Sequence, residues 1–236
     1  MERLERALVQ LGVEYTPNMI RQFREYMEGI LEWNEKINLT AITDPDEFVV
    51  KHYIDSVLAA GQEEVRNAKR VIDVGTGAGF PGIPLAILFP EKEFVLMDSL
   101  NKRLKVIDDL CGRTGILNVT TVHSRAEELA HQPKHRAHYD LCVSRAVANM
   151  ATLAEYCLPF LGAGGYFLAY KGPDYQEELA RAKGALRILG GEFLEAREAE
   201  ISDFDLSHKI LYIRKIKETP AKYPRKAGIP SKEPLK

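Results

Sequence analysis

Residues 71–82 decide the fold of this chain, and they read VIDVGTGAGFPG. The first four residues predict a buried strand, and the glycine-rich turn after them leads into a predicted helix at 83–89. Glycines are needed in such a turn because the backbone bends tightly and a ligand has to lie directly against it. The stretch therefore predicts a strand–turn–helix unit with a ligand at the turn.

Predicted strands and helices alternate from residue 70 to residue 189. This regularity favours a doubly wound α/β sheet that is mostly parallel, with helices on both faces. Two further strands, at 192–201 and 208–216, are separated by only a short polar stretch, so one of them is expected to run antiparallel. The first five strands are predicted at 71–74, 93–98, 118–123, 139–145 and 165–171, and the helices at 83–89, 101–114, 125–130, 148–161 and 174–189.

Two flanking segments complete the expected organisation. Residues 1–65 carry apolar side chains at helical spacing and predict an N-terminal helical region, in which two short helices break near Asp55. Residues 66–216 form the predicted sheet domain. Residues 217–236 contain four prolines and almost no apolar side chains, so they predict an extended basic tail.

The charge of the chain is unevenly distributed. The formal total is −2, from 32 Lys and Arg against 34 Asp and Glu, and this total alone argues against a uniformly basic nucleic-acid binder. Residues 214–236, however, hold eight Lys or Arg and two Glu, a net charge of +6, which leaves −8 for the rest. A basic tail on an acidic body is suited to phosphate contact, so Arg225 and Lys226 are candidate RNA-binding residues.

Composition and cysteine spacing exclude several classes of protein. Hydrophobic residues make up 45% and charged residues 28%, as in globular proteins, and no apolar run approaches the roughly 20 residues of a membrane span. Three cysteines without a CxxC pair give no zinc framework, and the charged N-terminus has no signal-peptide core. Pro133 interrupts any helix that would join His131, His135 and His138, so these histidines predict a solvated loop. We expect a cytoplasmic protein without a metal.

Two cofactors compete for the glycine-rich turn. Residues 77–82 match the GxGxxG fingerprint of dinucleotide binding, but this frame starts two residues late and puts Pro81 where a helix should donate amides. The earlier frame, residues 75–79 preceded by Asp73, suits S-adenosylmethionine. That cofactor has no pyrophosphate, and Asp73 can face its ammonium group, directly or through water. Spacing therefore favours methyl transfer, with an NAD-dependent oxidoreductase as the alternative.

Further candidates lie at the carboxyl ends of neighbouring predicted strands. Asp98 and Ser99 end the second strand, where a carboxylate can bind both ribose hydroxyls of an adenosine. Ala126 and Glu127 follow the third strand and can flank the adenine. Arg145 ends the fourth strand, where an unpaired charge is costly, so a carboxylate or phosphate partner is expected.

Candidate substrate-binding residues carry a weaker signal. Lys171 ends the fifth strand at the same edge of the sheet and could approach RNA phosphate. His52 lies near the junction of the helical region with the sheet, where it could help form the mouth of the site. Trp33 and Asn34 are more typical of packing and turn structure than of base stacking.

Six motifs in a fixed order resemble a known family. They are EWNEKINLT (32–40), DVGTGAGFPGIPLAI (73–87), MDSLNKR (97–103), SRAEEL (124–129), SRAV (144–147) and YPRKAGIPSKEPL (223–235). From about Trp33 onward the chain resembles the glucose-inhibited division protein B (RsmG) family, which methylates guanine N7 in 16S small-subunit ribosomal RNA. The resemblance implies a Rossmann-like class I methyltransferase fold with seven strands, S-adenosylmethionine as donor and ribosomal RNA as partner. It implies cofactor contacts at Gly75, Phe80, Asp98, Ser99, Ala126, Glu127 and Arg145, to which the glycine frame adds Gly77.

The chemistry of guanine N7 limits what the site must contain. N7 carries a free lone pair at neutral pH, so attack on a sulfonium methyl needs alignment rather than a general base. No catalytic acid–base pair is expected, and no catalytic residue is assigned. The deep groove of an RNA helix hides N7, which predicts an unpaired or rearranged target. A non-catalytic RNA-binding assembly factor is a second alternative, and the basic tail disfavours a small-molecule methyltransferase.

Overall fold

A single seven-stranded sheet organises the molecule. The computed structural model describes residues 1–145, 148–198, 201, 204, 206 and 208–236. The strands are β1 (Arg70–Val74), β2 (Glu93–Asp98), β3 (Val119–His123), β4 (Tyr139–Arg145), β5 (Leu161–Lys171), β6 (Gly191–Arg197) and β7 (Lys209–Lys215). Their order across the sheet is β3-β2-β1-β4-β5-β7-β6. β7 runs antiparallel to both β5 and β6, and the other described pairs are parallel. The predicted mostly parallel sheet with an antiparallel hairpin strand is confirmed.

The strand order reverses between β1 and β4, which lie side by side at the centre of the sheet. The connections leave these two strands in opposite directions, so a crevice opens at their carboxyl ends. The glycine-rich turn follows β1 at this point. Some predicted positions lie outside the described residues: Ala146 and Val147 of the SRAV motif, and Ala199 and Glu200 of the predicted sixth strand.

Helices from the N-terminal region and from the first two crossovers cover one face of the sheet. They are α1 (Glu2–Gln10), α2 (Pro17–Asn34), α3 (Pro45–Phe48), α4 (Asp55–Val57), α5 (Glu63–Asn67), α6 (Gly82–Leu88) and α7 (Asn101–Thr114). The hydroxyl of Thr16 caps α2 by accepting the amide of Met19. Gly29 lets α2 pack closely on α7, since a Cβ there would lie 2.2 Å from the Leu110 side chain. One continuous hydrophobic core joins α2, α6, α7 and this face of the sheet.

The other face carries a second hydrophobic core. Its helices are α8 (Ala126–Leu129), α9 (Met150–Cys157) and α10 (Tyr175–Leu189), with a short α11 (Ile229–Lys232) near the end of the chain. Along β4, Cys142 belongs to this second core while its neighbours Leu141 and Val143 belong to the first. This alternation is typical of a strand that is buried on both faces.

The structure of residues 45–57 differs from the expected pair of short helices. The chain stays helical through α3, a π-helical turn at Val49–Ile54 and α4. The predicted break near Asp55 is therefore wrong. Asp55 and Ser56 suggested a helix start, but both are buried: Asp55 pairs with Arg145, and the Ser56 hydroxyl donates to the carbonyl of His52.

The structure of residues 217–236 also differs from the expected one. Instead of extending into solvent, this segment folds back on the second core, where Tyr223 and Pro230 are buried. The guanidinium of Arg136 donates to the carbonyls of Thr219, Pro220 and Tyr223. The hydroxyl of Thr152 donates to the carbonyl of Pro230 over 2.8 Å. The expected extended tail is wrong because side chains of the body satisfy its backbone carbonyls.

Candidate active site

A cavity of about 440 Å³ lies at the carboxyl ends of β1 to β4. Eight of the residues that the sequence predicted as cofactor contacts line it, and so does His52. These residues are Gly75, Gly77, Phe80, Asp98, Ser99, Ala126, Glu127 and Arg145. The parallel strands bring the residues together because their carboxyl ends meet at one edge of the sheet.

The backbone amides of the glycine-rich turn are used within the protein. The amides of Gly75 and Thr76 both donate to the carbonyl of Met97, and that of Gly77 donates to the Asp98 carboxylate over 3.0 Å. The amides of Gly79 and Phe80 donate to the Thr76 carbonyl. Gly75, Gly77 and Gly79 have φ values of +75°, +61° and +97°, which side-chain-bearing residues rarely adopt. The turn is therefore shaped by its own hydrogen bonds.

The backbone at the start of α6 likewise offers no unbonded amide at residues 81–83 to a phosphate. Pro81 has no amide proton, the amide of Gly82 donates to Asp73 over 2.8 Å, and that of Ile83 donates to the Gly79 carbonyl. A dinucleotide needs such amides free to bind its pyrophosphate. The amides named for this turn and helix start already have acceptors, so the geometry disfavours NAD.

Asp73 supports the turn from below. It is fully buried and does not line the cavity; one carboxylate oxygen accepts from the Thr76 hydroxyl over 2.7 Å and from the Gly82 amide. Burial raises the pKa of this carboxyl to about 7. One oxygen of Asp73 thus holds the loop, while the other has no partner among the described residues. The expected contact of Asp73 with the cofactor's ammonium group, directly or through water, stays a prediction.

Asp98 lies at the floor of the cavity with acceptor capacity to spare. Its Oδ1 accepts the amide of Leu100 over 2.8 Å, its Oδ2 accepts the amide of Gly77, and Nη1 of Arg103 is 3.6 Å away. A carboxylate offers about four acceptor positions, so at least one remains for a ribose hydroxyl. The geometry is compatible with the ribose contact predicted for Asp98.

Glu127 lines the cavity and is held in place by a residue that the sequence reasoning did not single out. Its side chain is buried, and Oε1 accepts the backbone amide of Gly228 over 2.9 Å. Oε2 lies 4.0 Å from the Arg125 guanidinium. The folded-back segment 217–236 therefore fixes the orientation of a predicted adenine-side residue. No local spacing signals a contact between residues 101 positions apart.

Arg145 has a carboxylate partner, one of the two kinds of partner that its position predicted. Its Nη1 lies 2.7 Å from Oδ2 of Asp55, and both side chains are nearly inaccessible, at 11% and 3% exposure. Nη1 also donates to the carbonyl of Lys51, and the guanidinium carbon lies 5.4 Å from the centre of the Phe80 ring. Asp55 accepts a second contact from Nδ1 of His208 at 2.7 Å. The charge of Arg145 is thus compensated inside the protein.

His52 stacks on the cavity wall. Its ring is parallel to that of Phe80, with centroids 4.6 Å apart. Nδ1 lies 3.2 Å from Nη2 of Arg145 and Nε2 lies 2.8 Å from the Thr40 hydroxyl. Burial, with the Arg145 charge, lowers the pKa of His52 to about 4, so the ring is neutral at pH 7. Both ring nitrogens already have hydrogen-bond partners within the protein. A direct contact of His52 with the substrate therefore stays a prediction.

Thr40 is a cavity residue that the sequence reasoning missed. Asn34 holds it in place: its side-chain oxygen accepts the amides of Leu39 and Thr40, and its amide nitrogen donates to the Thr40 carbonyl. Trp33 donates from its ring nitrogen to Asp109 over 2.8 Å. The packing and turn roles expected for Trp33 and Asn34 match these contacts. The signal for Thr40 was present in EWNEKINLT, where it ends the motif.

The remaining substrate candidates do not reach the cavity. Lys171 pairs with Glu178 at 2.7 Å and donates to the carbonyl of Ala148. Arg225 is bound to the fully buried Glu155. Lys226 is exposed and lies with Arg225 on the outer side of Glu127. None of these three residues lines the cavity that holds the predicted cofactor contacts.

Two further observations bear on the predicted ligands. The cavity supplies carboxylate acceptors suited to an adenosine, and most described amides of its glycine-rich turn are already bonded within the protein, so its polar groups fit S-adenosylmethionine. Among the described residues, no group of three or more His, Cys, Asp or Glu could hold a metal ion.

No helix in the described ranges is long and apolar enough to cross a membrane.

Comparison with known proteins gives consistent matches. The profile of a family described as rRNA small subunit methyltransferase G matches residues 19–203. A relative from Clostridium novyi (strain NT), named Ribosomal RNA small subunit methyltransferase G, is 49% identical over 229 residues, covering 97% of this chain and 94% of its own. A SAM-dependent O-methyltransferase structure from Thermotoga maritima has a TM-score of 0.53 at 16% identity, covering 80% of this chain and 72% of that chain. Aeropyrum pernix fibrillarin, solved with natively bound S-adenosyl-L-methionine, has a TM-score of 0.52 at 16% identity, covering 70% and 75%.

Proposed function

This chain belongs to the rRNA small subunit methyltransferase G family, and on that basis we propose that it methylates N7 of a guanine in 16S ribosomal RNA. It is a methyltransferase of the Rossmann-like class I fold that uses S-adenosylmethionine. The observation that carries the proposal is the cavity, because one 440 Å³ space gathers all eight predicted cofactor contacts. The engaged amides of the turn argue against the NAD-dependent alternative.

The residues of the chain have separable roles in this reaction. Asp98 accepts ribose hydroxyls, and Glu127, held by Gly228, borders the adenine. Arg145 and Asp55 form a compensated pair beside Phe80 at the opposite end of the cavity. When bound, S-adenosylmethionine supplies a methyl group activated by a sulfonium charge. The N7 lone pair forms the new bond to carbon as the bond from carbon to sulfur breaks, so no side chain has to accept a proton.

Fewer basic side chains of the segment 217–236 are available for RNA binding than its charge suggests. Arg225 is committed to Glu155, so its guanidinium is not free for phosphate. Lys222 and Lys226 are exposed beside the same wall of the cavity and remain the candidates for phosphate contact. We propose small-subunit RNA, or its assembly intermediate, as the partner. A ribosomal RNA substrate supports action in the cytoplasm.

Methyl transfer to RNA from a strain that lacks the enzyme tests the proposal. Radiolabelled S-adenosylmethionine is supplied with naked small-subunit RNA or with the assembled subunit, and the modified base is mapped by digestion and mass spectrometry. We expect N7-methylguanosine at one position. A different methylated base contradicts the N7 assignment. Failure of both substrates, together with retained RNA binding, supports a non-catalytic assembly factor instead.

A further inference from the structure

Thr40 is fixed at the edge of the cavity by a network that determines the direction of each hydrogen bond. Arginine has no acceptor atom, so Nη2 of Arg145 donates to Nδ1 of His52 across 3.2 Å. Nδ1 is therefore unprotonated, and the single proton of the neutral ring is on Nε2. Nε2 lies 2.8 Å from the Thr40 hydroxyl, to which it donates.

The Thr40 hydroxyl oxygen accepts a second hydrogen bond as well. The backbone amide of Ile42 donates to the same oxygen over 3.0 Å. A hydroxyl group has two acceptor lone pairs and one proton. Both lone pairs are occupied, so the hydroxyl can act toward a ligand only as a donor. No residue in the described part of the chain accepts this proton, and Thr40 lines the cavity.

The contacts of Thr40 place this donor at the end of the cavity away from the adenosine-side residues. Asp98 and Glu127, the adenosine-side residues, follow β2 and β3 at one end of the cavity. Thr40 and His52 adjoin Arg145, which ends β4 at the other end. A base that approaches a methyl group between these two ends therefore meets the Thr40 hydroxyl.

Guanine presents two neighbouring acceptors on the edge that carries N7, namely N7 and O6. N7 has to face the methyl carbon, which leaves O6 as the adjacent atom for a protein donor. We propose that the Thr40 hydroxyl donates a hydrogen bond to O6 of the target guanine and thereby selects guanine. Adenine carries an amino group at this place, so two donors would face each other. His52 and Arg145 act as positioning residues that keep the hydroxyl a donor. This inference rests on the proposed guanine-N7 activity.

A double-mutant cycle that changes both Thr40 and the target base tests the contact between the Thr40 hydroxyl and O6. Small-subunit RNA is ligated with either guanosine or 2-aminopurine ribonucleoside at the mapped position; 2-aminopurine keeps N7 but lacks O6. Single-turnover rates are measured for the wild type, Thr40→Val, Thr40→Ser and the control Thr43→Val. Thr43 is exposed and lies outside the cavity.

We expect the wild type, Thr40→Ser and Thr43→Val to methylate guanosine about 10-fold faster than 2-aminopurine, the effect of one hydrogen bond. For Thr40→Val the two rates converge to within about twofold, because neither partner can then form the bond. Damage to the fold from Thr40→Val lowers both rates equally and leaves the ratio unchanged. An unchanged ratio in Thr40→Val overturns the inference, while an absence of N7-methylguanosine in the wild type refutes the proposed function itself.

Discussion

Replacing Arg225 by methionine distinguishes a structural role of this residue from a role in RNA binding. Glu155 is fully buried, and its carboxylate accepts from the Arg225 guanidinium at 2.7, 3.0 and 3.2 Å and from the Arg225 amide at 2.7 Å. In Arg225→Met only the amide contact remains. Removing one partner of a buried ion pair costs about 3–5 kcal/mol. For a domain of this size that corresponds to a fall in melting temperature of roughly 10 °C.

Differential scanning calorimetry of Arg225→Met measures this change, with Lys226→Met as the matched control. Lys226 is the exposed neighbour, and we expect its substitution to shift the melting temperature by no more than about 2 °C. The double variant Arg225→Met with Glu155→Gln should recover much of the loss, because the uncompensated charge is removed. If Arg225 instead contacts RNA phosphate, Arg225→Met melts as the wild type does and its RNA affinity depends less steeply on salt. That result would refute the structural assignment.

Three further changes test other parts of the structure. Asp98→Asn should raise the Kd for S-adenosylmethionine about 10- to 100-fold in titration calorimetry, since a charge-assisted ribose contact is lost; an unchanged Kd contradicts the assignment. Burial lowers the pKa of Lys215 to about 7 from 10.5, so the unfolded state binds the extra proton and stability rises with pH between these values. Urea unfolding at pH 7 and pH 9 should show this rise in the wild type and a smaller one in Lys215→Met. Deleting residues 217–236 should weaken both cofactor binding and RNA methylation, because Glu127 and Glu155 lose their partners; loss of RNA methylation alone argues for a purely RNA-binding segment.

The fold could be predicted because its signals are local. Apolar strands alternate with amphipathic helices, and the short polar link before β7 predicted the antiparallel strand that the sheet contains. The segment 217–236 was the main failure. Its prolines and charges resemble those of a solvated tail, whereas its stability depends on Arg136 and Glu155 elsewhere in the chain.

The site could be predicted to the extent that its residues follow the carboxyl ends of strands. Asp98 and Arg145 belong to this group, and the need of Arg145 for a carboxylate or phosphate partner was predictable from its place at the end of a buried strand. The identity of that partner was not, because Asp55 comes from a helix 90 residues earlier. The role of Asp73 in holding the loop was not predictable for a related reason: spacing puts it beside the ligand, but only the packed loop shows that it accepts from Thr76 and Gly82.

The arrangement of the two hydrophobic cores has a consequence for cooperativity. The N-terminal helices complete the core on one face of the sheet, and residues of the segment 217–236 complete the core on the other. The sheet therefore loses apolar cover on one face if either segment detaches. Neither flanking segment is an independent folding unit by this criterion, and both lie far in sequence from many of the residues that they cover. Unfolding should then occur as a single transition, in which a ligand bound at the cavity stabilises the outermost helices as much as the central strands.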